Sequence, residues 1–288
     1  MRAGYFGPEG TFTHEALLRA ADGVRDLELV PLPSIHDVVI AVRDGELERG
    51  LVPIENSIEG AVNATLDTLA VEAHEVAILG ELVYPITQCL IARDELALGD
   101  IEVVASHPQA TGQCREFLRK CLPRAQVQAA SSTAEAVRIV AAHDGPWAAL
   151  GNRLAAELYD ARILQAGVED MAGNETRFVW LGAVGSPPGL PSEQLDADRA
   201  WKTAIVFWGA GSDAPGWLVR CLSELAFRGV NMTRIESRPL REGQWSYMFF
   251  IDLDGATADA PVADALAAVA QRVEVLRVLG SFPAARPG

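Results

Sequence analysis

The chain has 288 residues, 49% of them apolar and 22% charged, a globular composition with room for two domains of ordinary size. Its formal net charge of −15 argues against nucleic acid and anionic membranes as partners. An anionic substrate would have to be held by local features, such as helix N-termini or a few Arg side chains.

Short apolar runs alternate with helical patterns from the first residues. Strands are expected at 2–6, 27–32 and 49–54, with helices at 13–21, 35–44 and 60–72. A β-rich stretch follows at 76–92. The alternation then resumes with strands at 101–105, 126–129 and 147–150 and helices at 109–121, 133–142 and 152–158, before a strand at 176–183. This order predicts an α/β sheet architecture with parallel pairs. The segment 185–200 is rich in proline and then in acid, as a linker is. Beyond it the order is strand 203–208, helix 215–228, strands 231–239 and 245–253, helix 260–270, strand 273–281, a ferredoxin-like βαββαβ pattern.

Cys89, Cys114, Cys121 and Cys221 form no C-x-x-C pair, so neither a zinc site nor a disulfide framework is expected. The N-terminus lacks a signal-peptide pattern, and no apolar run reaches membrane-spanning length. These features predict a cytoplasmic protein without a metal.

Strand-to-helix loops at the carboxyl edge of an open α/β sheet line its ligand crevice. Three such loops carry candidate side chains. Gly7-Pro8-Glu9-Gly10-Thr11-Phe12 offers Thr11 as a helix cap, though a plain turn would look the same. Val52-Pro53-Ile54-Glu55-Asn56-Ser57 offers Asn56 and Ser57 as caps, with Glu55 able to point into the crevice; a capping box with Glu59 is the plainer account. In Ala105-Ser106-His107-Pro108-Gln109, Ser106 would cap, Pro108 would occupy the first turn, and His107 would sit at the helix start, with Gln113 one turn beyond Gln109. His14, His36, His74 and His143 read as ordinary surface or core residues. Asn174-Glu175-Thr176-Arg177-Phe178 opens the strand before the linker, and a fixed Arg177 suits a carboxylate through bidentate bonds. Gly209-Ala210-Gly211-Ser212-Asp213-Ala214 imitates a dinucleotide loop, but the βαββαβ order that follows is not a run of parallel βαβ units.

Taken together, the segments Gly4–Phe12, Val52–Ser57, Ser106–Gln109 and Asn174–Phe178 resemble the prephenate dehydratase family. The stretch Gly229–Pro239, with its Glu236-Ser237-Arg238-Pro239 segment, resembles the regulatory ACT domain. The resemblance covers nearly the whole chain in order. It implies a two-lobed, periplasmic-binding-protein-like catalytic domain at 1–184, with lobe one at 1–76 plus 165–184 and lobe two at 77–164. A linker at 185–200 and an ACT domain at 201–288 would follow.

The resemblance further implies the decarboxylating dehydration of prephenate to phenylpyruvate in phenylalanine biosynthesis, without a cofactor. Phenylalanine would act as effector on a homodimer or homotetramer. Thr176 would be the catalytic hydroxyl, with Glu55 or His107 as acid. Arg177, Asn56, Ser57, Ser106, Gln113, Phe178 and Thr11 would contact substrate, and Leu218, Asn231, Glu236, Ser237 and Arg238 the effector. Where the family often has Gly-Ala-Leu, this chain has Gly216-Trp217-Leu218, so Trp217 would reshape the effector pocket or pack at a dimer interface. Two alternatives remain open at this level: an arogenate dehydratase, and a two-lobed sensor without catalysis. Either enzyme requires loops from both lobes to meet at one pocket.

Overall fold

In chain order the elements are β1 (Arg2–Phe6), α1 (Phe12–Ala20), β2 (Glu28–Leu32), α2 (Ile35–Arg43), β3 (Arg49–Asn56), β4 (Gly60–Ala61), α3 (Asn63–Val71), β5 (Val76–Pro85) and β6 (Cys89–Ala92). Then come β7 (Val103–Ser106), α4 (Pro108–Gln113), α5 (Arg115–Cys121), β8 (Gln126–Ala129), α6 (Thr133–Ala141), β9 (Trp147–Gly151), α7 (Arg153–Leu158), β10 (Arg162–Ala166) and β11 (Glu175–Ala183). The last unit holds β12 (Trp201–Trp208), α8 (Trp217–Ala226), β13 (Met232–Pro239), β14 (Tyr247–Asp254), α9 (Ala260–Ala270) and β15 (Val275–Pro283). The structure, a computed structural model, describes residues 1–189, 199–209, 211–212, 214–240 and 246–285.

Three sheets result. The first runs β2-β1-β3-β11-β5, with β4 on β3; the second runs β10-β6-β9-β7-β8; the third runs β13-β14-β12-β15. In the first two, parallel strands at one side meet an antiparallel strand that arrives from the other lobe: β11 beside β3, and β6 beside β9. The chain therefore crosses between lobes twice, once after β5 and once before β11. That is the two-lobed arrangement, and its crevice opens where the strand order reverses. The third sheet is antiparallel throughout, with the βαββαβ order.

Two expectations shift. The second lobe was expected from residue 77, but Val76–Pro85 pairs along its length with β11 in the first sheet. The helix expected at 109–121 breaks at Cys114 into α4 and α5. Of the linker expected at 185–200, residues 190–198 lie outside the described residues, as do Ala210 and Asp213 of the glycine-rich loop. The strand before that loop, β12, is flanked by antiparallel neighbours, which is no dinucleotide-binding context.

Period-2 burial divides β11 between two cores. Phe178 and Trp180 pack with α1, whereas Val179 and Leu181 join a core shared with α2, α3 and the third sheet. The third sheet contributes Ala204, Val206, Met248, Phe250, Leu279 and Phe282 to that core, and buries Ile205, Phe207, Ile251 and Leu253 under α8 and α9 on its other face. Gly280 marks how closely the two units approach: a Cβ there would lie 2.1 Å from the Ile78 carbonyl oxygen. Gly10 does the same between the lobes, at φ +82° with Ala155 Cβ 3.3 Å from where its own Cβ would be.

Candidate functional site

A cavity of about 290 Å³ lies between the lobes. Its apolar walls include Phe6, Phe12, Ile86 and Phe178; its polar lining includes Asn56, Gln88, His107, Gln113 and Thr176. Both lobes contribute, so loops from the two halves do converge on one pocket.

Three helix starts face it. Thr11 caps α1: its Oγ1 accepts from the His14 N–H at 3.2 Å and donates to the Phe6 carbonyl at 3.1 Å. Ser132 caps α6 by accepting from the Glu135 N–H at 3.0 Å. His107, not Ser106, caps α4, with Nδ1 accepting from the Gln109 N–H at 3.3 Å. That bond leaves Nε2 as the ring's donor. Among the described lining residues there is no Lys, Arg, Asp or Glu, and His107 is the one ionisable side chain. The positive potential in the pocket therefore comes from backbone N–H groups at helix starts rather than from cationic side chains.

Asn56 organises the floor. Its Oδ1 accepts from the N–H groups of Ile58 and Glu59 at 3.0 and 3.1 Å, which fixes the amide's orientation. Its Nδ2 donates to Asn174 Oδ1 at 2.8 Å, the Glu175 carbonyl at 3.1 Å and Thr176 Oγ1 at 2.9 Å. Thr176 is thereby an acceptor toward Asn56, so its own O–H is left to be donated elsewhere. Asn174 continues the network to Gln113 Oε1 at 3.2 Å, and Gln113 Nε2 reaches Glu59 Oε1 at 2.9 Å. This chain of amides ties α4 of the second lobe to the loop after β3.

Of the residues singled out in the sequence, Thr11, Asn56, His107, Gln113, Thr176 and Phe178 line the pocket. Four expected residues do not. Ser57 faces the crossing strand, with Oγ accepting from the Glu175 N–H at 2.9 Å. Ser106 is fully buried and donates to the Leu150 carbonyl at 2.9 Å, so its hydroxyl is spent within the second sheet. Glu55 and Arg177 lie on the opposite face of the first sheet. Arg177 Nε donates to Glu81 at 2.6 Å and its Nη1 to Asp252 of β14. Glu55 approaches Arg177 and Arg234 at 3.6 and 3.5 Å. A bulge explains the placement of Glu55: Arg177 pairs with Glu55 but Phe178 with Pro53, so Ile54 is an extra residue that inverts the alternation of β3. Arg177 is turned away from the pocket by the plain alternation of β11 between Thr176 and Phe178. Arg177 therefore cannot clamp a substrate carboxylate, and Glu55 cannot serve as the acid.

Around Arg177, burial pushes the Glu81 carboxyl up, but Arg177 and Lys202 outweigh it and the group sits below its ordinary value. For Arg177 itself burial works against the charge, yet Asp252 and Glu81 outweigh it and raise its pKa.

Sequence reasoning missed Gln88, Ser132 and Thr133. Gln88 is 2% exposed, lines the pocket, and leaves its Oε1 buried without a partner. Ser132 had a readable signal, a Ser three residues before Glu135 at a strand-to-helix loop. Gln88, in a short connection between sheets, had none.

In the third sheet, Arg234 and Arg238 face the first lobe, and Arg238 holds Asp67 of α3 at 2.8 and 3.0 Å instead of standing open to an effector. Asn231 donates to Asp254 at 2.7 Å. Glu236 shares Arg238's face of β13, Ser237 takes the other, and Leu218 packs under the helices, so one chain does not gather these residues into one pocket. Trp217 is 5% exposed, meets Phe207 edge-on and Phe249 at a tilt, and donates to the Arg272 carbonyl at 2.9 Å; it is a core residue, not an interface one.

Residues 3–185 match the family described as prephenate dehydratase. A prephenate dehydratase of Amycolatopsis methanolica is 41% identical over 284 residues, covering 98% of this chain and 88% of the relative. A solved prephenate dehydratase from Arthrobacter aurescens, in complex with L-Phe, superposes with a TM-score of 0.87 at 37% identity, covering 99% and 90% of the two chains. A solved chain described as GqqA, a novel type of quorum quenching acylase, superposes at 0.82 with 29% identity, covering 99% and 98%.

Proposed function

The chain belongs to the prephenate dehydratase family, a lyase family whose reaction is the decarboxylating dehydration of prephenate to phenylpyruvate, and we propose that the pocket between its lobes carries out that reaction with Thr176 as the central polar group. The observation that carries the assignment of roles is the Asn56–Thr176 bond: it uses the threonine oxygen as an acceptor and frees the hydroxyl proton for substrate.

In the reaction the bond between the ring and its carboxylate breaks and releases carbon dioxide. The electron pair moves into the ring, and the ring hydroxyl leaves and takes up one proton as water. The product is aromatic, so the driving force is in the substrate. The protein has to hold a dianion, seat the ring and assist the departing hydroxyl. Phe6, Phe12 and Phe178 supply an apolar seat, and a carboxylate in less polar surroundings loses carbon dioxide more readily. The starts of α1 and α6 supply N–H donors for the carboxylates. Thr176 donates to the leaving oxygen and Gln88 Oε1 accepts from the same hydroxyl. His107 is the group suited to deliver the proton from Nε2 once Nδ1 gives up the Gln109 N–H bond and takes a proton from solvent, so that imidazolium returns to neutral imidazole as water forms.

We read L-phenylalanine as the effector, because the Arthrobacter aurescens relative is described in complex with it, and the third sheet with its two helices as the ACT domain that receives it. Leu218, Asn231, Glu236 and Ser237 would form the receiving site together with a second copy, in a homodimer or homotetramer. Equilibrium dialysis against labelled L-phenylalanine tests this; absence of binding removes the effector assignment. Four unpaired cysteines support a cytoplasmic location. No helix among the described residues is long and apolar enough to cross a membrane. An ultraviolet assay for phenylpyruvate, with prephenate and arogenate offered separately, tests the activity and the substrate together.

A further inference from the structure

Six charged side chains meet where the first and third sheets pack. Glu55, Glu81 and Arg177 come from the first sheet, Lys202, Arg234 and Asp252 from the third. The carboxylates of Glu81 and Asp252 are 1% and 2% exposed, and the Arg177 side chain is 12% exposed. Glu81 is held from three directions, by Arg177 Nε, Lys202 Nζ and the Ala285 N–H.

Docking of the sheets does not need this cluster. Ala204, Val206, Met248, Phe250, Leu279 and Phe282 already bury an apolar face there. Burial of that apolar face dominates the docking of the two sheets. A buried ion cluster, by contrast, is about neutral or unfavourable relative to apolar packing. Nor is the cluster saturated: Arg177 Nη2 and Arg234 Nη2 are buried with no hydrogen-bond partner. A costly, unsaturated cluster calls for an explanation other than cohesion.

Its position supplies one. Arg177 follows Thr176 in β11, and alternation sends one side chain into the pocket and the other into the cluster. We propose that Arg177, gripped by Glu81 and Asp252, is a positioning residue that pins β11 from behind and so fixes the Thr176 hydroxyl over the substrate. The third sheet then takes part in every turnover through Asp252, apart from any effector it binds. The proposal rests on the role given above to Thr176.

The test compares Asp252→Asn and Arg177→Lys with Asp67→Asn. The last breaks a carboxylate–guanidinium bridge between the first lobe and the third sheet, from Asp67 of α3 to Arg238 of β13, which does not touch β11. Prephenate turnover is measured for each full-length variant, with circular dichroism melts to establish folding. Because misplacing a reacting group costs rate rather than affinity, kcat should fall on the order of tenfold in Asp252→Asn and Arg177→Lys, with KM changed less than about twofold. Asp67→Asn should keep kcat within about twofold of wild type. Arg177→Lys keeps the charge and serves as the folded test should Asp252→Asn unfold. A folded Asp252→Asn or Arg177→Lys enzyme with wild-type kcat, or an equal loss in Asp67→Asn, overturns the proposal. A wild-type protein that makes no phenylpyruvate overturns the functional reading instead.

Discussion

Asn56 and Thr176 are 120 residues apart in sequence, yet Asn56 Nδ2 donates to Thr176 Oγ1 at 2.9 Å across the paired strands β3 and β11. The direction of that bond sets the chemistry. An amide N–H can only donate, so the threonine oxygen accepts and its proton points away from Asn56.

Reversing the bond should therefore stop catalysis. In Asn56→Asp the carboxylate accepts the threonine proton and places a negative charge beside an anionic substrate. Turnover should fall by about 10²-fold or more, the scale for losing one hydrogen-bond donor to a developing anion. Steady-state assays together with a melting curve check this; a folded Asn56→Asp enzyme with near-normal kcat would remove the donor role from Thr176.

Strand parity separates what was legible in the sequence from what was not. The motifs around Thr11, Asn56, His107 and Thr176 mark loops that do meet, and the βαββαβ tail reads correctly from its order alone. Which face each side chain takes was a different matter. With Pro53 in the pocket wall, simple alternation puts Glu55 there as well. The extra residue at Ile54 gives that place to Asn56 instead. Arg177 went astray for a related reason. Nothing local indicates that a third sheet covers the back of β11 and supplies Asp252. Ser106 missed by one position, because the helix begins at Pro108 and the residue before it is the cap.

Glu55 and His107 can be told apart by substitution. Glu55→Gln alters a group behind the sheet, and kcat/KM should stay within a few-fold of wild type. His107→Gln removes the one ionisable side chain among the described lining residues and should cost about 10²-fold, the lower end for a general acid. The opposite ranking in steady-state kinetics would restore Glu55 as the acid.

Salt should help this enzyme. Its net charge of −15 repels a dianion at long range, whereas its attractive groups are dipoles inside the pocket. Raising ionic strength from about 0.01 to about 0.15 M shortens the screening length from about 30 to about 8 Å and should weaken the repulsion first. kcat/KM for prephenate should rise across that range. A steep fall would reveal a cationic binding site.

Acid should loosen the junction of the first and third sheets. The Glu81 carboxyl lies below its ordinary value of 4.5 in the fold, so its stabilisation is fully present above 4.5. Below that pH the unfolded chain takes up the proton first, and stability falls until the folded-state value is passed. Urea melts between about pH 6 and pH 3 should show this loss in the wild type and a smaller one in Glu81→Gln. Identical pH slopes for the two proteins would contradict it.

The central claim is that a single hydroxyl, presented by Asn56 into the cavity between the lobes, carries the departure of the substrate's hydroxyl. Thr176→Val keeps the shape of that side chain and removes its hydroxyl, which is both the donor to substrate and the acceptor from Asn56 Nδ2. Phenylpyruvate formation from prephenate should drop by about 10²-fold or more in this variant while the melting curve stays close to wild type, and Thr176→Ser should recover most of the rate. A folded Thr176→Val enzyme that turns over prephenate at the wild-type rate would contradict the account.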